Sequence, residues 1–148
     1  MKRASAVKPV GTWPLDKALD RVLLGTEDRQ RRRGRLTAEN GMMFLLDLPR
    51  PMALRHGDGL VLDDGTIVAV VGEPEPLSEI APGANAGLVH LAWHLGNRHT
   101  EIQITDGRLR IRRDHVLEAM VRSFGATVTL LEAPFDPETE VQRDGAHG

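Results

Sequence analysis

The feature that most constrains the fold is a change of period at Gly72-Glu73-Pro74-Glu75-Pro76. Before it come short apolar runs with turn punctuation. Residues 18–24 are closed by Gly25, and residues 42–48 are closed by Pro49 and Pro51. Residues 59–62 run into the tight-turn signal Asp63-Asp64-Gly65, and residues 66–71 return from it. Spacing of this kind predicts a small all-β module. Two prolines in three residues restrict pairing and bias the residues before them, so 72–76 reads as a hinge.

After the hinge the pattern alternates between periods of two and 3.6. Residues 77–80 read as a strand. Asn85 is a candidate cap for a helix over 86–95, where Leu88, Leu91, Ala92 and Leu95 share one face and Gly96-Asn97 is a stop. Residues 100–104 and 108–112 alternate on either side of Asp106-Gly107, with Leu109 and Ile111 inward. Asp114 can cap a helix over 115–124, ended by Gly125, and residues 126–131 form a last strand. Strand, helix, strand, strand, helix, strand is the ferredoxin-like split βαβ order. The expected class is α+β: a small N-terminal all-β domain over 1–73, a C-terminal ferredoxin-like βαββαβ domain over 74–142, and a flexible tail over 143–148.

Composition narrows the function classes. The 148 residues suffice for one ordinary or two small domains. With no Tyr, two Trp and three Phe, the core must rest on Leu, Val, Ile, Met and Ala. A domain of about 70 residues is marginal alone, so association between chains would help it. The formal net charge of −2 argues against general nucleic-acid binding. The absence of cysteine excludes disulfides, thiolate metal sites and cysteine nucleophiles. The basic start, Met1-Lys2-Arg3, has no apolar segment after it and is not a secretory signal. No apolar run reaches membrane-spanning length. The default is a cytoplasmic protein.

Two features carry chemistry. One is the run Asp28-Arg29-Gln30-Arg31-Arg32-Arg33-Gly34-Arg35, which reads either as an RNA-binding stretch or as a charged edge strand that resists edge-to-edge pairing. No aromatic residue is interleaved to stack on a base. The other is the histidine set. His90 and His94 are four apart on one helix face, a metal-ligand spacing, but the glutamate of the zincin motif is missing, and two partly buried polar positions beside the apolar stripe are the preferred reading. On a continuous helix His94 and His99 would be separated by about 140°. A helix that stops at Gly96 frees His99 to stand at a helix–strand junction. His115 follows a capping residue, His56 lies in a loop, and His147 stands in the tail, where it can reach a nearby ion. Ser5, Ser78 and Ser123 have no base and orienting acid, and no glycine loop cradles phosphate. The carboxylates of Asp63-Asp64 and Asp136-Pro137-Glu138 read as solvating groups.

His94-Leu95-Gly96-Asn97-Arg98-His99, Asp114-His115-Val116-Leu117-Glu118-Ala119-Met120, Gly125-Ala126 and Ala133-Pro134-Phe135-Asp136-Pro137-Glu138 together resemble the urease accessory protein E family. The arginine run and Leu62-Asp63-Asp64-Gly65 are similar to that family's N-terminal domain. The resemblance spans about residues 19–138. It implies a non-enzymatic, cytoplasmic nickel metallochaperone that delivers Ni²⁺ as the urease active site is assembled. It further implies a homodimer, acting with urease apoprotein and a GTPase-containing accessory complex, and no nucleic-acid or membrane partner. By resemblance the central nickel ligand is His99, with His147 and His115 as further candidates, Zn²⁺ and Cu²⁺ as competitors, and a β domain that docks partners, for which Arg31, Arg32 and Arg33 are candidates. The chain departs from the family pattern in two places. Its tail keeps only His147, and Arg113 stands where some members carry another histidine. Imidazole suits Ni²⁺, and a two-fold axis can place His99 from both chains on one ion. The remaining alternative is a small RNA-binding or protein-docking module using the Arg29 to Arg35 stretch.

Overall fold

The structure, a computed structural model, describes residues 1–139. The tail over 143–148 lies outside the described residues. The chain divides into two compact units at Glu73 and Pro74. No helix among the described residues is long and apolar enough to cross a membrane.

The first unit is a six-stranded sheet. Its strands are β1 (Lys2–Lys8), β2 (Asp20–Leu24), β3 (Gln30–Thr37), β4 (Met43–Ala53), β5 (Gly59–Leu62) and β6 (Ile67–Gly72), in the spatial order β2-β6-β5-β1-β4-β3. Phe44, Leu46, Leu48, Leu60, Val68 and Val70 form its core, each at most 2% exposed. Each such side chain contributes about 1.5–3 kcal/mol by leaving water.

Two elements differ from the sequence expectation. The basic N-terminus, assigned no element above, forms β1, paired parallel to β4 on one side and antiparallel to β5 on the other. Its side chains give no strand signal because only Ala4 is fully buried. The neighbouring backbones recruit it, and ion pairs from Lys2 to Asp64 and from Arg3 to Asp47, both 2.7 Å, fasten its start. Likewise, β4 does not end at Pro49. Its pairing with β1 stops at Leu46, and its register with β3 jumps from Asp47↔Arg33 to Met52↔Arg31. Both prolines sit inside that irregularity, where no ladder N–H is required of them.

The second unit contains β7 (Pro74–Ala81), α1 (Leu88–Asn97), β8 (Gln103–Thr105), β9 (Arg108–Arg112), α2 (His115–Ser123) and β10 (Thr127–Pro134). The sheet order is β10-β7-β9-β8, every pair antiparallel. The split βαβ topology thus stands as read from the period. Leu91 and Leu95 of α1 and Leu117 and Val121 of α2 pack in one cluster with Ile80, Leu109 and Ile111 of the sheet. On alternate positions a charge ladder forms instead: Glu79 accepts from Arg108 and Arg110, and Glu75 accepts from Arg112.

The segment read as a hinge is the start of β7. Pro74 and Pro76 pair opposite Pro134 and Glu132, while pairing with β9 begins only at Leu77, so these prolines occupy a sheet edge. The last strand also runs past residue 131. β10 continues to Pro134, Phe135 is fully buried, and Gln103 accepts a hydrogen bond from the Asp136 N–H at 3.0 Å.

Candidate metal centre

Helix α1 ends two residues later than its glycine suggests, and that places His99. The helix runs through Gly96 to Asn97, with Arg98 as its C-cap and Gly87, not Asn85, as its N-cap. The His99 N–H bonds the Gly96 carbonyl at 3.0 Å, and the Thr100 N–H reaches back to the Leu95 carbonyl at 3.3 Å. This pair of bonds is the Schellman closure, whose next-to-last position requires a left-handed residue. His99 fills it at φ 56°. Glycine is the usual occupant, because a Cβ in this conformation meets the carbonyl that follows. A histidine held there is an exposed imidazole on a rigid stop.

The ring opens onto a shallow depression lined by Thr100, Glu101, Arg112, Arg113, Asp114 and Leu117. The acids in it are engaged. The Asp114 carboxylate caps α2, accepting from the N–H groups of Val116 and Leu117 at 2.9 and 3.1 Å. Glu101 pairs with Arg112. Burial would lower the Arg112 pKa, but hydrogen bonds to Glu101 and Glu75 outweigh it and raise the value above the ordinary guanidinium range. A fixed, compensated cation therefore stands beside His99. Among the described residues no three His, Cys, Asp or Glu side chains converge on a point that could hold a metal ion. A metal shell built on His99 would need ligands from outside this group of residues.

His115 is the first residue of α2 and is exposed, but it does not line the depression. His147 lies outside the described residues. Sequence reading passed over the group that anchors the cap itself: the buried Glu118 carboxylate accepts from both the Asp114 N–H and the Ser78 hydroxyl at 3.0 Å, tying the start of α2 to β7. The unpaired-looking Ser78 was its only sequence trace.

The arginine run is less available than its composition suggests. It forms β3, at the edge of its sheet. Arg29 is buried, donating to the Leu54 carbonyl and the Thr26 hydroxyl. Arg31 pairs with Asp28 at 3.3 Å, Arg32 donates to the Leu48 carbonyl, and Arg33 shares Asp47 with Arg3. Much of this charge is spent inside the domain.

Comparison with known proteins decides the family. The model of the UreE urease accessory protein N-terminal domain matches residues 2–72, and that of the C-terminal domain matches residues 75–148. This chain belongs to the UreE family. Urease accessory protein UreE of Bradyrhizobium sp. (strain ORS 278) is 52% identical over 147 residues, covering 99% of this chain and 70% of the relative. The UreE of Chelativorans sp. (strain BNC1) is 43% identical over 147 residues, covering 99% and 90%. That of Rhodobacter capsulatus is 45% identical over 148 residues, covering 100% and 88%. As a UreE protein the chain is a urease accessory protein and not an enzyme.

Proposed function

We propose that this UreE chain is a cytoplasmic nickel metallochaperone, which binds Ni²⁺ through His99 of two copies and passes it on during assembly of the urease active site. The observation that carries the reading is the conformation of His99, an exposed imidazole kept at a backbone position where glycine would be easier. Nickel favours imidazole nitrogen over the oxygen sites of harder ions, with Cu²⁺ and Zn²⁺ as competitors. Two imidazoles related by symmetry leave the remaining coordination positions open, so the ion can exchange, as a donor needs. His147 from the tail completes the shell, and His115 offers a secondary surface ligand. The first domain, 1–73, docks urease apoprotein or the GTPase-containing accessory complex, with Arg31, Arg32 and Arg33 at its edge. The second, 74–142, carries metal and dimer contacts.

Calorimetric titration of the full chain with Ni²⁺ tests this. One tightly held ion per two chains is expected, and His99→Ala, which removes both imidazoles of the shared site, should abolish that tight binding. Unchanged tight binding in His99→Ala would remove the basis of the reading.

A further inference from the structure

His90 and His94 take no part in the site above. They lie one turn apart on α1, His90 exposed and His94 half-buried, and their Nε2 atoms are 3.1 Å apart. Phe124 holds both rings: its centroid is 4.6 Å from that of His94, tilted by 31°, and 5.7 Å from that of His90, nearly edge-on at 68°. Trp93 also meets His94 edge-on, with ring centroids 5.0 Å apart. The two imidazoles are thus oriented before anything binds.

Their separation is informative. Two imidazole nitrogens each about 2.1 Å from one ion stand 3.1 Å apart when the angle at the ion is about 95°. That is the angle of neighbouring ligands in square or octahedral coordination, the geometries of Cu²⁺ and Ni²⁺. Within the pair one Nε2 donates its N–H to the other; when an ion binds, the donor ring takes its Nδ1–H tautomer, so both neutral rings present an Nε2 lone pair and no proton is lost. We propose that His90 and His94 form a second divalent-metal site, complete within one chain, that takes a nitrogen-preferring cation such as Ni²⁺ or Cu²⁺ with water filling the remaining positions. It goes beyond the shared-ion reading and does not depend on it. No partner subunit, tail residue or His99 is required, so this site loads at any protein concentration.

The test uses the full chain with His99→Ala, His115→Ala and His147→Ala combined, which leaves the pair intact and silences the other site. Titration with Ni²⁺, and separately with Cu²⁺, should show one ion per chain. Adding His90→Ala should lower the affinity by more than about tenfold, because the second ligand no longer binds intramolecularly. Excess metal should raise the melting temperature of the triple variant but not of the version lacking His90. No binding in the triple variant, or an isotherm unmoved by His90→Ala, would overturn the assignment. His90 is exposed, so its removal spares the fold. His94→Ala, which also removes a ring packed on Phe124, serves only as confirmation.

Discussion

At the scale of single residues, the decisive fact is that His99 occupies a position better suited to glycine. Left-handed backbone disfavours any side chain with a Cβ by about 1–2 kcal/mol, with histidine among the more tolerant types. If the side chain is kept for its imidazole, stability and binding must part company there. His99→Gly should therefore raise the stability of the metal-free protein by about 1 kcal/mol in urea unfolding and abolish tight nickel binding in the same sample. A variant that loses stability would show that the ring packs structurally instead. The residue itself was legible in the sequence as an accessible junction histidine. Its strain was not, because Gly96-Asn97 looked like the stop, and nothing in Arg98-His99 announces that the chain turns left-handed two residues later.

At the scale of elements, the second unit was readable because its two periods are clean. Leu91 and Leu95, then Leu109 and Ile111, then Leu117 and Val121 fall where their spacing puts them. Elements whose cohesion is backbone or polar were missed. β1 has one buried side chain, β4 hides two prolines in a register jump, and the Ser78–Glu118–Asp114 clamp joins residues 40 apart that no local window connects. The ladder between β7 and β9 makes a measurable claim about acid. Hydrogen bonds from Arg108 and then Arg110 hold the Glu79 pKa below the ordinary glutamate range against the opposing pull of burial. A carboxylate whose folded pKa is depressed stabilises the fold above its unfolded pKa, and that contribution fades as pH falls toward the folded value. The second unit should thus lose stability progressively below the normal glutamate range. Glu79→Gln should flatten that part of the pH–stability curve while lowering stability at neutral pH by about 1–2 kcal/mol, as expected for hydrogen bonds to a charged group. Identical curves for the two proteins would assign acid sensitivity elsewhere.

At the scale of the whole molecule, the two proposed metal sites predict opposite behaviour on dilution. Among the described residues of one chain no three ligands converge at His99, and the proposed site there takes one imidazole from each of two chains. Metal binding and dimerisation are then linked, and linkage is reciprocal. Nickel at 100 times its dissociation constant adds about 2.7 kcal/mol to the dimer, roughly a hundredfold in its dissociation constant. Conversely, apparent nickel affinity must fall as protein is diluted through the dimer's own dissociation range. Sedimentation velocity across a concentration series, with Ni²⁺ and then with chelator, should show the dimer persisting to lower concentration with the metal. His99→Ala should erase the difference. The His90–His94 chelate has both ligands on one helix, so its occupancy should follow free metal alone and ignore protein concentration. If tight nickel binding proves indifferent to dilution and metal leaves the dimer unchanged, the ion is not shared between subunits, and a single chain must supply its entire shell.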